Sequence, residues 1–182
     1  MMKENYTEEI EIPEGLSAER EGKNFKVKGK IGEVARTLYN PLIVLEVKDN
    51  KVILSAKRYG RREKSLIGTF RAHVKNMFKG AMEGHSYTLK ICSGHFPMNV
   101  SFSNGVFMVK NFIGEKVPRT LNISEKVSLK IDGDYIVVES PDKEAAGQAA
   151  GSIEKLTKRV NFDKRIFQDG IYITEKDGKK IE

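Results

Sequence analysis

Cysteine occurs once in these 182 residues, at Cys92, and histidine only three times, at the scattered positions His73, His85 and His95. A lone thiol closes no disulfide within the chain, so packing and hydrogen bonds must hold the fold, and a reducing, intracellular compartment is expected. A structural zinc site needs clustered Cys and His, which this inventory excludes. No metal or other cofactor is expected. Long hydrophobic runs are missing as well: no apolar stretch approaches the roughly 18 residues that cross a bilayer. The opening MMKENYTEEIEIPEG has neither the basic start nor the apolar centre of a secretory leader. Neither membrane association nor secretion is expected.

Catalytic signatures are also lacking. Gly32-Glu33 and Gly114-Glu115 hint at a phosphate loop, yet no GxxxxGKS/T or GxGxxG stands between a strand and a helix, so turn glycines are the simpler reading. No nucleophile elbow occurs. Asp132 and Asp134 resemble the start of a calcium loop without its remaining ligands, and read as polar hairpin residues. The chain is not expected to be an enzyme, and nothing implies a small-molecule substrate.

What the sequence does contain is itself, twice. FKVKGKIGEVARTL at residues 25–38 returns as FMVKNFIGEKVPRTL at residues 107–121, and LEVKDNKVIL at 45–54 returns as LKIDGDYIVV at 129–138. A spacing above 80 residues is too long for a stacked solenoid repeat. It predicts a duplicated domain, with residues 1–82 as one copy and 83–182 as the other, Phe25 equivalent to Phe107 and Leu38 to Leu121. Arg36 and Arg119 recur in the same surroundings, which points to a role in the fold rather than in a site.

Alternation marks YTEEIEI and FKVK as strands, LIVLEV and KVILSA are β-branched runs, and Asp49-Asn50 between them signals a tight hairpin that Gly133-Asp134 repeats. In the stretch following each hairpin the period turns helical. Leu66, Ile67, Phe70, Val74, Met77, Phe78 and Met82 fall on one face of the first helix, opposite Arg71 and Lys75. In the second helix Ser140 is the expected N-cap, Pro141 the first helical residue, and Ala145, Ala149, Ile153, Leu156 and Val160 the inward face. GIYITEK adds a further strand. Each copy is thus an α+β unit, antiparallel strands followed by one helix.

Charge offers the first functional hint. Lys and Arg exceed Asp and Glu by seven, which favours an anionic partner. Residues 22–82 hold fifteen basic and four acidic side chains, whereas residues 83–182 hold fifteen and fourteen, so counting alone puts a nucleic-acid surface on the first copy. Two segments in the second copy have the composition of an RNA-contacting surface. SGHFPMN, residues 93–99, combines His95 and Phe96 with a Gly and a Pro after a strand. Residues 154–180 place Lys155, Lys158, Arg159, Lys164 and Arg165 around a helix end, with Lys176, Lys179 and Lys180 beyond. Basic residues late in a helix also complement its dipole, the structural alternative for this group.

RIFQDGIYI after an Ala-rich helix, SGHFPMNV opening the second copy and the duplicated IGE…RTL phrase together resemble the large-subunit ribosomal proteins of the L-six family, in the wording of its archaeal and eukaryotic branch. The resemblance covers essentially the whole chain, though the YKGKG tail of bacterial members is absent. It implies two domains of one fold, each with strands in two sheets packed around a single helix. It also implies binding to large-subunit ribosomal RNA, chiefly through the second domain, near the sarcin-ricin region and the stalk base where translation factors dock, with neighbouring ribosomal proteins as further partners and the cytoplasm as location. The rival classes are a protein-binding adaptor, which a large exposed apolar patch would favour, and an enzyme acting on a phosphorylated small molecule, which a pocket of convergent polar groups would favour.

Overall fold

The computed structural model describes residues 3–163 and 165–181, with side chains at all of these except 3–5 and 57–59. Two compact units divide the chain, Met1–Gly84 and His85–Glu182. The first runs β1 (Lys3–Glu11), β2 (Ser17–Glu21), β3 (Asn24–Lys28), β4 (Glu33–Thr37), β5 (Val44–Lys48), β6 (Lys51–Tyr59) and α1 (Arg61–Met82). The second repeats the order as β7 (His85–Cys92), β8 (Asn99–Ser103), β9 (Val106–Lys110), β10 (Arg119–Asn122), β11 (Ser128–Asp132), β12 (Tyr135–Ser140) and α2 (Lys143–Leu156), then adds β13 (Gly170–Lys176) and β14 (Lys179–Lys180). Every strand pairing is antiparallel.

Sheet order makes the duplication explicit. The first unit has sheets β1-β6-β5 and β2-β3-β4; the second has β10-β9-β8 and β11-β12-β7-β13-β14, the same pair extended by two strands beyond β7. The hairpin pairs match residue for residue, Leu45 opposite Leu54 as Leu129 is opposite Val138. Asp49 and Asn50 both have positive φ, the type I′ geometry that suits a twisted ribbon, while Gly133 alone is positive in the second hairpin.

One equivalence differs from the sequence expectation. Phe25 and Phe107 do occupy matching places, each almost fully buried on the middle strand of its sheet. Phe25, however, faces Arg36 across the ladder, whereas Phe107 faces Leu121. The partner of Leu38 is instead Ile123: Leu38 N–H donates to Lys23 O at 3.0 Å, and Ile123 N–H donates to Gly105 O at 2.8 Å. Relative to the repeated phrase, β10 has slid two residues along β9. The longer connection through the 3-10 turn at Phe112–Gly114 supplies the slack. Arg36 and Arg119 are therefore not positional equivalents, although both point inward and are half-buried.

Each helix covers its sheets with an apolar face, and burying a large aliphatic or aromatic side chain is worth about 1.5–3 kcal/mol. Along α1, Ile67, Phe70, Val74, Met77 and Phe78 are buried against Phe25, Val27, Leu45 and Leu54, with Leu66 partly buried at the edge. Met82 is exposed, because the helix ends there, and Ala81 takes the inward place. At that end the Ala81 carbonyl accepts from Ile31 N–H at 3.2 Å in the β3–β4 turn. Gly29 is required here, since a Cβ on it would stand 2.5 Å from the Ala81 oxygen.

In α2 the start and the phase both depart from expectation. Asp142, two residues after Ser140, is the N-cap, its carboxylate accepting from Glu144 N–H at 2.9 Å. Ser140 acts one step earlier, accepting from Asp142 N–H at 3.2 Å and donating to Lys126 O at 2.9 Å. Ala146, Ala150 and Ile153 are the fully buried positions, with Ala145, Ala149 and Leu156 half-buried beside them. Val160 lies past the helix end and is 74% exposed. Among the described residues no helix is long and apolar enough to cross a membrane, and no group of three metal-ligating side chains forms.

Candidate nucleic-acid interface

The basic end of α2 is held in place by side-chain bonds to backbone groups. Buried Thr157 donates its hydroxyl hydrogen to Glu154 O at 3.3 Å and accepts from Ile171 N–H at 2.9 Å, while the Glu154 carboxylate accepts from Ile173 N–H at 3.2 Å. The last turn of the helix is thereby clamped to β13. Arg119 closes the helix from the other side, donating to Leu156 O at 2.6 Å and gripping Glu115 with two bonds of 2.8 and 2.7 Å, its guanidinium 4.4 Å from the centre of the Phe112 ring. The hydrogen bonds from Arg119 hold the Glu115 carboxyl below the usual range, assisted by the charge of Arg159. Arg119 thus serves the fold, through contacts of its own rather than through a position shared with Arg36.

Residues 157–163 and 165–169 then turn back across the surface as a ladder of rings. The Arg159 guanidinium lies 4.3 Å over Phe162; Phe162 meets Phe167 edge-on at 5.0 Å; Phe167 stacks on His95 at 4.9 Å with 26° between planes. Behind His95 stands Asp169, a nearly inaccessible carboxylate. Its Oδ1 accepts from Gly94 N–H at 2.5 Å and His95 N–H at 3.0 Å, and its Oδ2 contacts His95 Nδ1 at 2.5 Å. A carboxylate only accepts, so the ring proton sits on Nδ1 in this contact. Burial disfavours the Asp169 charge, but the hydrogen bonds from the His95 backbone, the His95 ring and Gly94 outweigh it and lower the pKa. The loop at 93–99 is thus tied across 74 positions of sequence to the start of β13, because Gly170 pairs with Cys92.

Together these elements enclose a groove of about 530 Å³ whose lining includes Lys155, Lys158, Arg159, Phe162, Phe167 and Tyr172. Lys155 and Lys158 are exposed and Arg159 is half-buried. Burial, then the nearby Cys92, Asp169 and Glu154, push the Tyr172 phenol up, so it stays a neutral hydrogen-bonding group. Phe96 is 46% exposed, its ring lying beside Gly114. Cations on the rim and ring faces within make a surface that can pair with phosphates and stack on bases.

Not all the basic residues singled out in the sequence join it. Arg165 projects from the neighbouring turn, 89% exposed and bound bidentately to Asp163, whose pKa its hydrogen bonds lower. Lys164 lies outside the described residues. Lys176, Lys179 and Lys180 belong to the β13–β14 hairpin, where Lys176 faces Lys179 and Lys180 faces Glu175. That hairpin is fixed at the opposite end of β7: Asp177 N–H donates to Ser86 O at 2.8 Å, and its carboxylate contacts buried His85 at 3.0 Å and Lys143 at 3.8 Å. At strand rise, the length of β7 separates the hairpin from the ring ladder by about 24 Å. The basic set thus forms two clusters. Phe162, Phe167, Asp169 and Tyr172 were not singled out; two Phe within six residues of the basic run are the one signal the sequence offered.

Part of the charge excess of residues 22–82 is answered at the surface by carboxylates that precede that stretch. Lys26 pairs with Glu21 at 2.7 Å, Lys51 with Glu9 at 3.0 Å and Arg71 with Glu8 at 2.6 Å. A count of charges summed over all faces therefore overstates the field of the first unit.

Comparison with known proteins bears on both units. The family model described as "Ribosomal protein L6" matches residues 12–84. Over nearly the whole chain there are relatives named large ribosomal subunit protein uL6: from Nanoarchaeum equitans, 46% identical and covering 95% of this chain and 94% of its own; from Methanococcus vannielii, 42% identical with 96% of each covered; and from Haloarcula marismortui, 40% identical with 94% and 96% covered. With a duplicated α+β fold and full-length similarity of this order, the chain belongs to the uL6 family of large ribosomal subunit proteins.

Proposed function

We propose that this protein is a structural constituent of the large ribosomal subunit that binds large-subunit ribosomal RNA mainly through its second unit, near the sarcin-ricin region and the stalk base. There it supports the region where translation factors dock, beside neighbouring ribosomal proteins, in the cytoplasm. The observation that carries the reading is the ring-and-cation groove behind α2, with Lys155, Lys158 and Arg159 on its rim. Its mechanism is positioning. Cations neutralise phosphates and release counterions, while His95, Phe96 and the Phe162 ring fit the shape of unpaired segments. The hairpin lysines Lys176, Lys179 and Lys180 make a second set of phosphate contacts, and the exposed Arg165 adds one beside the groove. No bond is made or broken, so nothing in the role calls for a catalytic group.

The test is incorporation. The purified chain should co-sediment with large subunits and leave them only at high salt. Exchanging Lys158 and Arg159 for Glu should abolish that association, while the same exchange at Lys26 and Lys28 of the first unit should leave it nearly intact. Each phosphate contact removed should lower the salt slope by about 0.9 if the RNA is duplex there. The opposite pattern would overturn the assignment of the site, and loss of binding through an apolar substitution alone would favour the adaptor reading.

A further inference from the structure

The second unit shows what its five-stranded sheet does with the outer edge of β7: it covers it with β13. In the first unit β1 holds the corresponding place and stands at the end of its sheet. The match is residue by residue. Ile12 N–H donates to Asn50 O in the β5–β6 turn, and Ile91 N–H donates to Asp134 O in the β11–β12 turn. Ile10 faces Val52 as Leu89 faces Ile136, and Glu8 faces Leu54 as Tyr87 faces Val138. Glu9 and Glu11 therefore correspond to Thr88 and Lys90, the residues that β13 meets as Glu175 and Tyr172.

Amide direction alternates along a strand. Because Ile12 points its N–H at the β5–β6 turn, the backbone groups of Ile10 and Glu8 point toward β6, and those of Thr7, Glu9 and Glu11 point outward. Among the described residues no backbone hydrogen bond reaches that outward row. The three side chains on it are exposed, while Ile10 and Ile12 are buried toward α1.

We propose that the outer edge of β1 is a docking site for an extended, basic peptide segment of another protein, which adds antiparallel to Thr7–Glu11 in the manner in which β13 adds to β7. Main-chain bonds to Thr7, Glu9 and Glu11 supply the affinity, as in strand addition generally. Side-chain alternation supplies the specificity: the guest places apolar residues on the face of Ile10 and Ile12, as Ile171 and Ile173 lie beside Ile91 and Leu89, and Lys or Arg beside Glu11 and beside Glu9, whose exposed carboxylate already takes Lys51 at 3.0 Å and keeps lone pairs for the guest. The carboxylates also exclude a second copy of this chain at the same edge, since β1 against β1 brings Glu beside Glu.

The probe is a short synthetic peptide alternating Ile with Lys, added to the full-length protein in about tenfold excess over its Kd. Amide exchange at Thr7, Glu9 and Glu11 should slow by about tenfold, while Glu8 and Ile10, already bonded to β6, should be unaffected. Methylating alternate peptide nitrogens should abolish the effect. Glu9→Pro removes an outward donor without breaking the ladder to β6 and should prevent binding. If that variant does not fold, exchanging Glu9 and Glu11 for Lys keeps the backbone intact. It should weaken the Lys peptide and strengthen a Glu counterpart, by about 1.4- to 5-fold for each pair. No protection at about 1 mM peptide, protection that ignores N-methylation, or protection at residues other than the outward row would overturn the proposal. So would concentration-dependent pairing of the protein with itself through β1.

Discussion

Replacing Asp169 by Ala should unfasten the loop at 93–99 while leaving the two-sheet core in place. The carboxylate accepts from Gly94 N–H, His95 N–H and the His95 ring. Bonds to a charged acceptor are worth about 1.5–3 kcal/mol each when both partners are shielded. The donors, however, belong to an exposed loop that water reaches as soon as it swings away. Discounted to about 1 kcal/mol for each contact, the loss is about 2–3 kcal/mol. For a unit of roughly 100 residues that is a fall of about 10–20 °C in its calorimetric midpoint. Because the Asp169 pKa is depressed on folding, its contribution is complete above the unfolded carboxyl value of about 3.9 and fades as pH falls through the folded one. The gap between wild type and variant should therefore be full at neutral pH and close below about pH 4. Amide exchange at Gly94 and His95 reports the local event and should accelerate in the variant. Unchanged exchange at those two amides, or a stability gap that stays constant into acid, would refute this account of the tether.

Other residues give contrasts as clear. Phe78→Ala should cost about 3–5 kcal/mol in chemical denaturation, whereas Met82→Ala, one turn on but exposed, should stay within about 0.5 kcal/mol. Gly29→Ala should destabilise by about 1–3 kcal/mol through collision with the Ala81 carbonyl, while Gly68→Ala, with open space around it on α1, should stabilise by up to about 1 kcal/mol in the same assay. Arg119→Met should expose the end of α2, cost about 1–3 kcal/mol in thermal unfolding, and speed amide exchange in the last turn of that helix.

The architecture was largely legible because duplication doubled every signal. A repeated phrase, a repeated hairpin and two helical periods all pointed to one unit used twice. The phase of α2 was not, because Ala occurs in adjacent pairs at 145–146 and 149–150, and a periodic reading cannot choose between neighbours of the same size. Met82 and Val160 misled for a different reason: a hydrophobic stripe continues in sequence after the helix has ended or left the sheet. Of the candidate site, Lys155, Lys158 and Arg159 were readable as a basic helix end, since they are local. The ladder that gives them a shape was not. It depends on β13 lying against β7, which brings Asp169 to His95, and no local pattern encodes that approach.

The slide of β10 along β9 bears on how such a duplicate can diverge. Within each strand the numerical offset between copies is constant, 82 residues at Phe25 and Phe107, then 85 at Leu38 and Ile123, then 84 at Leu45 and Leu129. Insertions and deletions have thus been confined to the connections, and the strands have travelled as blocks. An even displacement was the one kind open to β10. A step of one residue would have turned Arg119, Leu121 and Ile123 to solvent and their polar neighbours inward, while a step of two preserves the inside and changes only which residues meet. In a descendant of duplicated sheets, an outermost strand can behave like a key with evenly spaced teeth: it can lodge in a new notch, but never halfway between notches.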